Sequence, residues 1–349
     1  MTGDGVRAAR PTMNDVARSA GVSLKTVSRV VNGETTVAPE LAARVQAAVE
    51  SLNYRPHIGA SMLRRNDRST RTIGLLVEDV GNPFSAALHR AVEDEARRRG
   101  VHVLTGSLDE DPQRERELAR AFAQRHADGL IVTPVDDDQS YLAGELAHDT
   151  PVVFVDRPGS GFVADSVLST NRTGATEAVR HLISHGHRRI AFLGDHARIA
   201  TARSRYQGYL DALAESQLEP VAAHELHHSS AAESATMSLF RSDTPPTALF
   251  ASQNLVTIGA VRALRRLRLH REVALVGFDD FPLADLLEPA VTVIAQDPTV
   301  MGTTAARALF DRIDGESSQP PREFWIPTAL IRRGSGELPP SQAHRPVML

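Results

Sequence analysis

Before residue 55 the apolar residues recur at steps of three and four, the spacing of a helix with one buried face. Val16, Ala17 and Ala20 predict a helix over 13–20, and Val27, Val30 and Val31 a second over about 23–31. Leu41, Val45, Ala48, Val49 and Leu52 predict a third, opening at Ala38-Pro39-Glu40. The punctuation agrees with the periodicity. Gly21 accepts the left-handed conformation that a sharp stop requires. Ser23 is placed to cap the second helix, Pro39 suits a first helical position, and Glu40 suits the positive end of a helix dipole. The three helices form a unit of about 45 residues with a modest core. Leu24, Lys25, Thr26, Ser28 and Arg29 are left facing outward. Two readings fit this pattern: an ordinary helical hairpin, or a helix-turn-helix whose second helix presents those residues to base edges in the major groove.

From residue 72 the texture changes to alternating strands and helices. Near-continuous apolar runs predict strands over 72–78, 101–107, 129–133, 151–155, 189–194, 221–226, 248–251, 273–277 and 291–295, with a short one at 324–327. Helical patterns fall between them at 85–99, 113–125, 173–185, 203–216, 230–241, 255–267 and 299–313. Such alternation implies parallel sheets covered on both faces, and two runs of this kind imply two lobes. Ligands of such folds bind beyond the carboxyl ends of the strands, which here means a cleft between the lobes. The segment between the two textures carries Pro56, Ile58, Gly59 and Leu63. It predicts a short helix weakened by Gly59 by roughly 1 kcal/mol, ordered only against a partner. Residues 1–11 read as a loose tail, and so does the proline-rich, polar end of the chain.

Composition narrows the choice. The 349 residues are 42% hydrophobic and 23% charged, an ordinary globular mixture. There is no cysteine, which excludes disulfides, thiolate zinc sites and iron–sulfur clusters. No apolar run is long enough to span a membrane, and Thr2 to Pro11 lacks the apolar core of a signal peptide, so the cytoplasm is the expected location. Charge is unevenly placed: residues 1–72 hold eleven Arg/Lys against six Asp/Glu, although the chain as a whole carries −4. A basic head on an acidic body suits a head that meets phosphate. Lys25, on the outward side of the second helix, is the only lysine in the chain.

Several separated motifs together resemble the LacI/GalR family of bacterial transcription regulators. They are Asn14-Asp15-Val16-Ala17 with Gly21-Val22-Ser23 and Thr26-Val27-Ser28-Arg29-Val30, then Leu52-Asn53-Tyr54-Arg55-Pro56. Next come Ile73-Gly74-Leu75-Leu76 with Asn82-Pro83-Phe84, and Asp128-Gly129-Leu130-Ile131. Gly186-His187-Arg188-Arg189-Ile190-Ala191-Phe192 and Val276-Gly277-Phe278-Asp279-Asp280 complete the set. The resemblance covers roughly residues 12–334. It implies an all-α helix-turn-helix headpiece followed by an α/β two-lobed, periplasmic-binding-protein-like core with two doubly wound parallel sheets. The implied boundaries are a disordered tail at 1–11, the DNA-binding domain at 12–56, a hinge helix and linker at 57–71, the core at 72–334 and a disordered tail at 335–349. Within the core, lobe 1 takes about 72–168 and 298–324, and lobe 2 about 169–296 and 325–334.

What the resemblance implies can be carried over residue by residue. Leu24 and Lys25 fall at the family's principal base-reading positions and Arg29 at a third. Chemically, Lys25 and Arg29 can donate to guanine and Leu24 can pack on a thymine methyl. Ser23, Thr26, Ser28 and Asn32 are candidates for phosphate contacts, Tyr54 and His57 join the DNA-binding set, and Leu63 stands where the family wedges a leucine into the minor groove. His57 replaces a usual asparagine, and Gly59 and Met62 lie in the hinge, so the hinge departs from the family pattern. The effector contacts map onto Asn82, Phe84, Asp156, Thr201, Arg205, Phe250, Gln253, Asp279 and Gln296. Carboxylates, amides and an arginine around an aromatic suit a polyhydroxylated ligand. Ser85 replaces a usual second aromatic, and Gln253-Asn254 replaces a usual Asn-Asp, so the pocket differs from the common sugar types.

The implied protein is a repressor, not an enzyme, that binds near-palindromic double-stranded operator DNA as a homodimer under the control of a small, sugar-like effector. No cofactor, metal or membrane partner is expected. His185 and His187 flank Gly186 as a helix end and turn would, His224, His227 and His228 read as solvated loop residues, and Asp136-Asp137-Asp138 reads as an exposed acidic loop. Two rivals stand beside this reading: a transport sugar-binding protein, opposed by the basic head, and a sugar-modifying enzyme with an accessory DNA domain, opposed by the absence of paired catalytic motifs.

Overall fold

The structure is a computed structural model and describes residues 11–31, 34, 36–55, 69–147, 149–316 and 319–341. These fall into two compact units, one up to Thr70 and one from Arg71 onward. In the first unit, helices α1 (Met13–Ala20), α2 (Leu24–Val31) and α3 (Pro39–Ser51) close over Val16, Ala20, Val27, Val45, Ala48 and Tyr54. Each helix end has a local reason. The Thr12 hydroxyl accepts from the Asp15 N–H, and Asp15 accepts in return from the Thr12 N–H at 2.9 Å, a reciprocal cap. Gly21 ends α1 at φ 60°, and the Ser23 hydroxyl caps α2 by accepting from Thr26 N–H at 3.1 Å. Arg44 of α3 donates to the carbonyls of Ala20 (2.6 Å) and Gly21 (3.3 Å), covering oxygens that the end of α1 leaves without helical partners.

The second unit contains two six-stranded sheets of matching order. The first sheet runs β11-β5-β4-β3-β1-β2 and the second β12-β10-β9-β8-β6-β7. The strands of the first are β1 (Thr72–Val77), β2 (His102–Ser107), β3 (Leu130–Val132), β4 (Val152–Val155), β5 (Asp165–Ser169) and β11 (Glu323–Ile326). Those of the second are β6 (Ile190–Leu193), β7 (Val221–Ala223), β8 (Ala248–Ala251), β9 (Ala274–Phe278), β10 (Thr292–Ala295) and β12 (Ala329–Ile331). Helices α4 (Pro83–Arg98), α5 (Pro112–Gln124), the short α6 (Leu142–Glu145) and α11 (Pro298–Ile313) belong to the first lobe. Helices α7 (Asn171–Ser184), α8 (Ala200–Glu215), α9 (Ser229–Leu239) and α10 (Asn254–Arg266) belong to the second. The central strands of each sheet are buried on both faces, which is why most of them read as unbroken apolar runs.

The chain passes between the lobes at 170, at 296–297 and at 327–328. Two of these crossings are tied together, because Thr170 Oγ1 accepts from Thr328 N–H at 3.0 Å. Several sequence expectations need correction here. Strands β5 and β12 were not anticipated. The run Asp165–Ser169 looks polar, but Arg312 holds the buried Asp165 carboxylate with two bonds of 2.9 Å. The first lobe extends through Ile326, since β11 pairs with β5 along its whole length, so the crossing falls at 327–328 and not after 324. Strand β12 runs antiparallel to β10, against the expectation of wholly parallel sheets. The cause is its short link. β11 ends at the cleft, so two residues later the chain enters the second sheet from the end where the other strands finish.

The disordered tail expected from 335 does not begin there. Ser335 and Gly336 are buried. The Glu337 carboxylate meets His181 Nε2 at 2.7 Å and accepts from Thr292 Oγ1 at 2.8 Å and from Gly334 N–H at 2.7 Å. His187, fully buried, holds the Leu338 carbonyl through Nε2 at 2.8 Å and Thr247 through Nδ1 at 2.9 Å. A polar composition is compatible with burial when each polar group finds a partner.

Three helix pairs depend on a glycine in one helix lying against a backbone carbonyl of the other. They are Gly208 against Arg172, Gly259 against Ser229, and Gly302 against Leu88. A methyl group there meets backbone that cannot rotate away. Each of G208A, G259A and G302A should therefore cost ~1–3 kcal/mol in urea unfolding, whereas G144A, with open space at Cβ, should be neutral or stabilising by up to ~1 kcal/mol.

Candidate functional site

In the three-helix unit, Ser23, Leu24, Lys25 and Arg29 are exposed, and Leu24 keeps 40% of its surface in water despite being apolar. Thr26 and Ser28 are half-buried. The hydroxyls of Ser23 and Thr26 bond each other at 2.9 Å, so both already serve the helix cap. Arg29 lies 3.4 Å from Glu34 in an exposed pair, worth little and easily surrendered. Tyr54 is 8% exposed and packs in the helical core. Asn32, His57 and Leu63 lie outside the described residues.

In the second unit, one cavity of ≈ 70 Å³ lies where the carboxyl ends of the two sheets face each other. Asn82, Phe84, Asp156, Thr201, Arg205, Gln253, Asp279 and Gln296 all line it. Phe250 does not. It is fully buried in β8, with its ring 5.7 Å from that of Phe192 in the second lobe's core. Side chains alternate along a strand, and the residues that reach the cleft lie beyond the strand's last residue, Ala251.

Asp156 follows β4 and Asp279 follows β9, equivalent places in the two sheet orders. Both backbones are left-handed, with φ of 68° and 66°, a conformation that turns the chain sharply off the strand end. Arg205 of α8 is held from several sides. Its Nε donates to Asn171 Oδ1 at 2.7 Å, and its Nη1 donates to the Ser252 carbonyl at 2.7 Å and to Asp279 Oδ2 at 3.2 Å. Its guanidinium lies 3.9 Å from the Phe278 ring centroid. Gln296 donates to Asp279 Oδ1 at 2.7 Å. Asp156 Oδ1 and Gln296 Oε1 are buried acceptors without a hydrogen-bond donor. Burial pushes the Asp156 carboxyl up to about 6, even though Arg157 and Arg205 pull it the other way.

The lobes touch around this cavity. Asn254 donates to Asn82 Oδ1 at 2.8 Å, and Arg198 donates to the Glu110 carbonyl at 3.0 Å. His227 of the second lobe stands between Asp195, 3.0 Å from Nδ1, and Glu78 of the first lobe, 3.6 Å from Nε2. The sequence pattern predicts a solvated loop residue. Instead its side chain is 18% exposed, and the bonds to Asp195 and then Glu78 push its pKa up to about 10. The stabilisation this gives is complete below the ordinary histidine value and is lost as pH rises through about 10. Gln253 caps α10, accepting from Leu255 N–H at 2.8 Å, and donates to Asp195 at 3.3 Å. Asp280 turns away to a two-point pair with Arg333, at 2.7 and 2.6 Å.

Sequence reasoning missed Glu78, Glu110, Arg157, Asp195, His227 and Asn254 on the cavity wall. Glu78 and Asp195 were recoverable, since each lies just beyond a strand end, after β1 and β6. Arg157 was not. Its burial depends on Glu110, 47 residues earlier, which it meets at 2.5 Å. Asp195, His196 and His227 bring potential metal-ligand atoms within 4.8 Å of one another, in a chain whose sequence leads to no metal site being expected.

The comparisons with known proteins fit this geometry. The family model described as bacterial regulatory proteins, lacI family, matches residues 12–57. That of the periplasmic binding protein-like domain matches residues 179–336. The ribose operon repressor of Halalkalibacterium halodurans is 32% identical over 92% of this chain and 96% of its own length. The lac repressor dimer bound to operator and the anti-inducer ONPF superposes with a TM-score of 0.80 at 25% identity, over 93% of this chain and 99% of that one. A LacI family transcriptional regulator from Enterococcus faecium with bound ribose gives a TM-score of 0.69 at 25% identity, over 78% of this chain and all of that one.

Asp156→Asn tests the electrostatics of the cleft. Asparagine tolerates the left-handed backbone and carries no charge to desolvate. At pH 7 the variant should be more stable than the parent by up to ~3 kcal/mol, the cost of keeping a buried carboxylate ionised. Thermal unfolding from pH 4 to 7 checks the sign: the advantage should grow as pH rises from about 4 to about 6 and be near zero at the acid end.

Proposed function

We propose that this chain, which belongs to the lacI family of bacterial regulatory proteins, is a transcriptional repressor that binds a near-palindromic operator as a homodimer and is controlled by a monosaccharide held in the cleft. The observation that carries the reading is the combination, in one chain, of an exposed recognition helix with a cavity walled by both lobes. On this reading Lys25 and Arg29 donate to base edges and Leu24 packs on a thymine methyl. Ser23, Thr26, Ser28 and Asn32 position the headpiece on phosphate, joined by His57, and Leu63 wedges into the minor groove from the hinge. Tyr54 supports them from the core.

In the cleft, Asp156, Asp279 and Gln296 accept from ligand hydroxyls, Asn82 and Arg205 donate, and Phe84 stacks on the apolar face of the ring. The unpartnered Asp156 Oδ1 and Gln296 Oε1 support this assignment, because a polyol supplies the donors that buried acceptors require. Thr201 and Gln253 complete the polar wall. The relative named a ribose operon repressor, and the LacI family regulator solved with bound ribose, favour a single sugar ring as the occupant. The dimeric lac repressor that the chain superposes on supports association with a second copy.

Control follows from linkage. A ligand that prefers the closed lobes shifts the equilibrium toward the state in which the Asn82–Asn254 and Glu78–His227 ties are made. If that state differs in operator affinity, operator binding must change ligand affinity by the same factor. The reading places the protein in the cytoplasm on chromosomal DNA, with no catalytic step and no cofactor. No helix among the described residues is long and apolar enough to cross a membrane.

Mobility shift of the full chain on the DNA flanking its own gene, with and without ribose and other monosaccharides, tests the whole reading. The expected outcome is salt-sensitive, sequence-specific retention that one sugar changes; absence of specific binding would overturn it. Lys25→Ala should lose ~1–3 kcal/mol of discrimination at one base pair per half-site, whereas uniform weakening across sequences would make Lys25 a phosphate contact. Asp156→Asn should keep operator affinity within about twofold and lose at least about tenfold in sugar affinity, roughly one hydrogen bond to a charged group.

A further inference from the structure

At one edge of the cleft, the loops after β6 and β7 bring together two imidazoles and two carboxylates, and the loop after β1 adds a third carboxylate. Asp195 Oδ1 and Oδ2 lie 3.0 and 3.2 Å from His227 Nδ1. The rings of His196 and His227 stack at 5.1 Å and 19°. Glu225 lies 2.5 Å from His196 Nδ1. Glu78, from the opposite lobe, lies 3.6 Å from His227 Nε2. One donor atom each from Asp195, His196 and His227 lie within 4.8 Å of one another. The Asp195 side chain is 12% exposed and the two rings 28% and 18%, so the cluster is sheltered yet reachable.

We infer that Asp195, His196 and His227 form a binding site for a divalent first-row transition ion such as Zn²⁺ or Co²⁺. Three features carry the inference. Two imidazoles and one carboxylate are the donor set such ions favour, whereas Mg²⁺ and Ca²⁺ require oxygens. Each imidazole has one nitrogen facing a carboxylate that is not itself in the group, His196 Nδ1 hydrogen-bonded to Glu225 and His227 Nε2 in a 3.6 Å ion pair with Glu78. That arrangement leaves the other nitrogen, His196 Nε2 or His227 Nδ1, for the ion, and binding releases the proton that His227 Nδ1 shares with Asp195. Finally, Asp195 is itself oriented, by the Gln253 amide at 3.3 Å and by the His196 N–H at 2.7 Å.

Three protein donors leave a fourth tetrahedral position for water or a ligand oxygen. Asp195 and His227 also line the cavity, so the ion becomes part of its wall. Because Glu78 comes from the first lobe, the same ion couples the closed cleft to metal occupancy. The site stands independently of the regulatory reading.

The test uses the full-length chain, stripped with chelator and titrated with CoCl₂ in the absence of DNA and sugar. The expected result is one Co²⁺ per chain, a visible d–d absorption of a four-coordinate site, and a raised melting temperature, with Mg²⁺ producing neither. H196Q should weaken Co²⁺ binding at least a hundredfold, and E225Q, which removes only the group behind the ligand, about tenfold. H102A, at an exposed histidine elsewhere, should leave the titration unchanged. The metal-free melting temperature of H196Q, expected to match the parent, shows that its fold is intact. Absence of a Co²⁺ band and melting shift at millimolar metal, or a band that survives H196Q at parental affinity, would overturn the proposal.

Discussion

A guanidinium taken out of water must be met by acceptors on every side, and the second lobe is arranged around that requirement at Arg205. The side chain is 6% exposed, and its bonds reach Asn171 at the start of α7, the Ser252 carbonyl beyond β8 and Asp279 beyond β9. Gln296, in a crossing between the lobes, joins through Asp279. One buried cation thus sets the relative position of two strand ends, a helix start and a crossing. Removing it would strand the Asp279 carboxylate in a low-dielectric wall, which is why such groups hold a site's shape more than they add to stability.

The two lobes reach the same solution by repeating one topology. Matching sheet orders put Asp156 and Asp279 at equivalent strand ends, each turned into the cavity by a left-handed residue. The environments then diverge. Asp279 has Arg205 and Gln296 as direct partners, whereas Asp156 keeps one oxygen without a donor and resists ionisation. A ligand that supplies hydroxyl hydrogens therefore gains most on the first-lobe side, while the second lobe provides the rigid surface. Contacts between the lobes at Asn82–Asn254 and Glu78–His227 close the cavity with polar groups that can exchange partners with water. Polar closure of this kind leaves opening inexpensive.

The three-helix unit solves a different problem, that of a core too small to hold helices by burial alone. Its stability leans on helix ends: the reciprocal Thr12–Asp15 cap, the left-handed Gly21, the Ser23 cap and the Arg44 reach to the carbonyls closing α1. Spending Ser23 on the cap still leaves Leu24 and Lys25 exposed at the first turn of α2. The residues that end one helix and begin the next thus also hold the exposed first turn of α2 in place.

The sequence alone determined what depends on neighbours a few residues apart. Helical periodicity located α1 to α3, glycine and serine chemistry located their ends, and apolar runs located most of the strands. The strand-end rule, with the family resemblance, brought eight of nine proposed cleft residues to one cavity. Tertiary structure alone decided what depends on distant partners. Asp165 became a buried strand residue because Arg312 reaches it, residues 335–338 became ordered because His181, His187 and Thr292 bond to them, and Phe250 went to the core because strand alternation turned it there. His227 changed from an ordinary loop histidine into a charged bridge because two carboxylates, one from each lobe, meet at its ring. Local pattern fixes backbone conformation, but the charge and hydrogen-bond state of a polar side chain is set by groups that only the folded chain brings near.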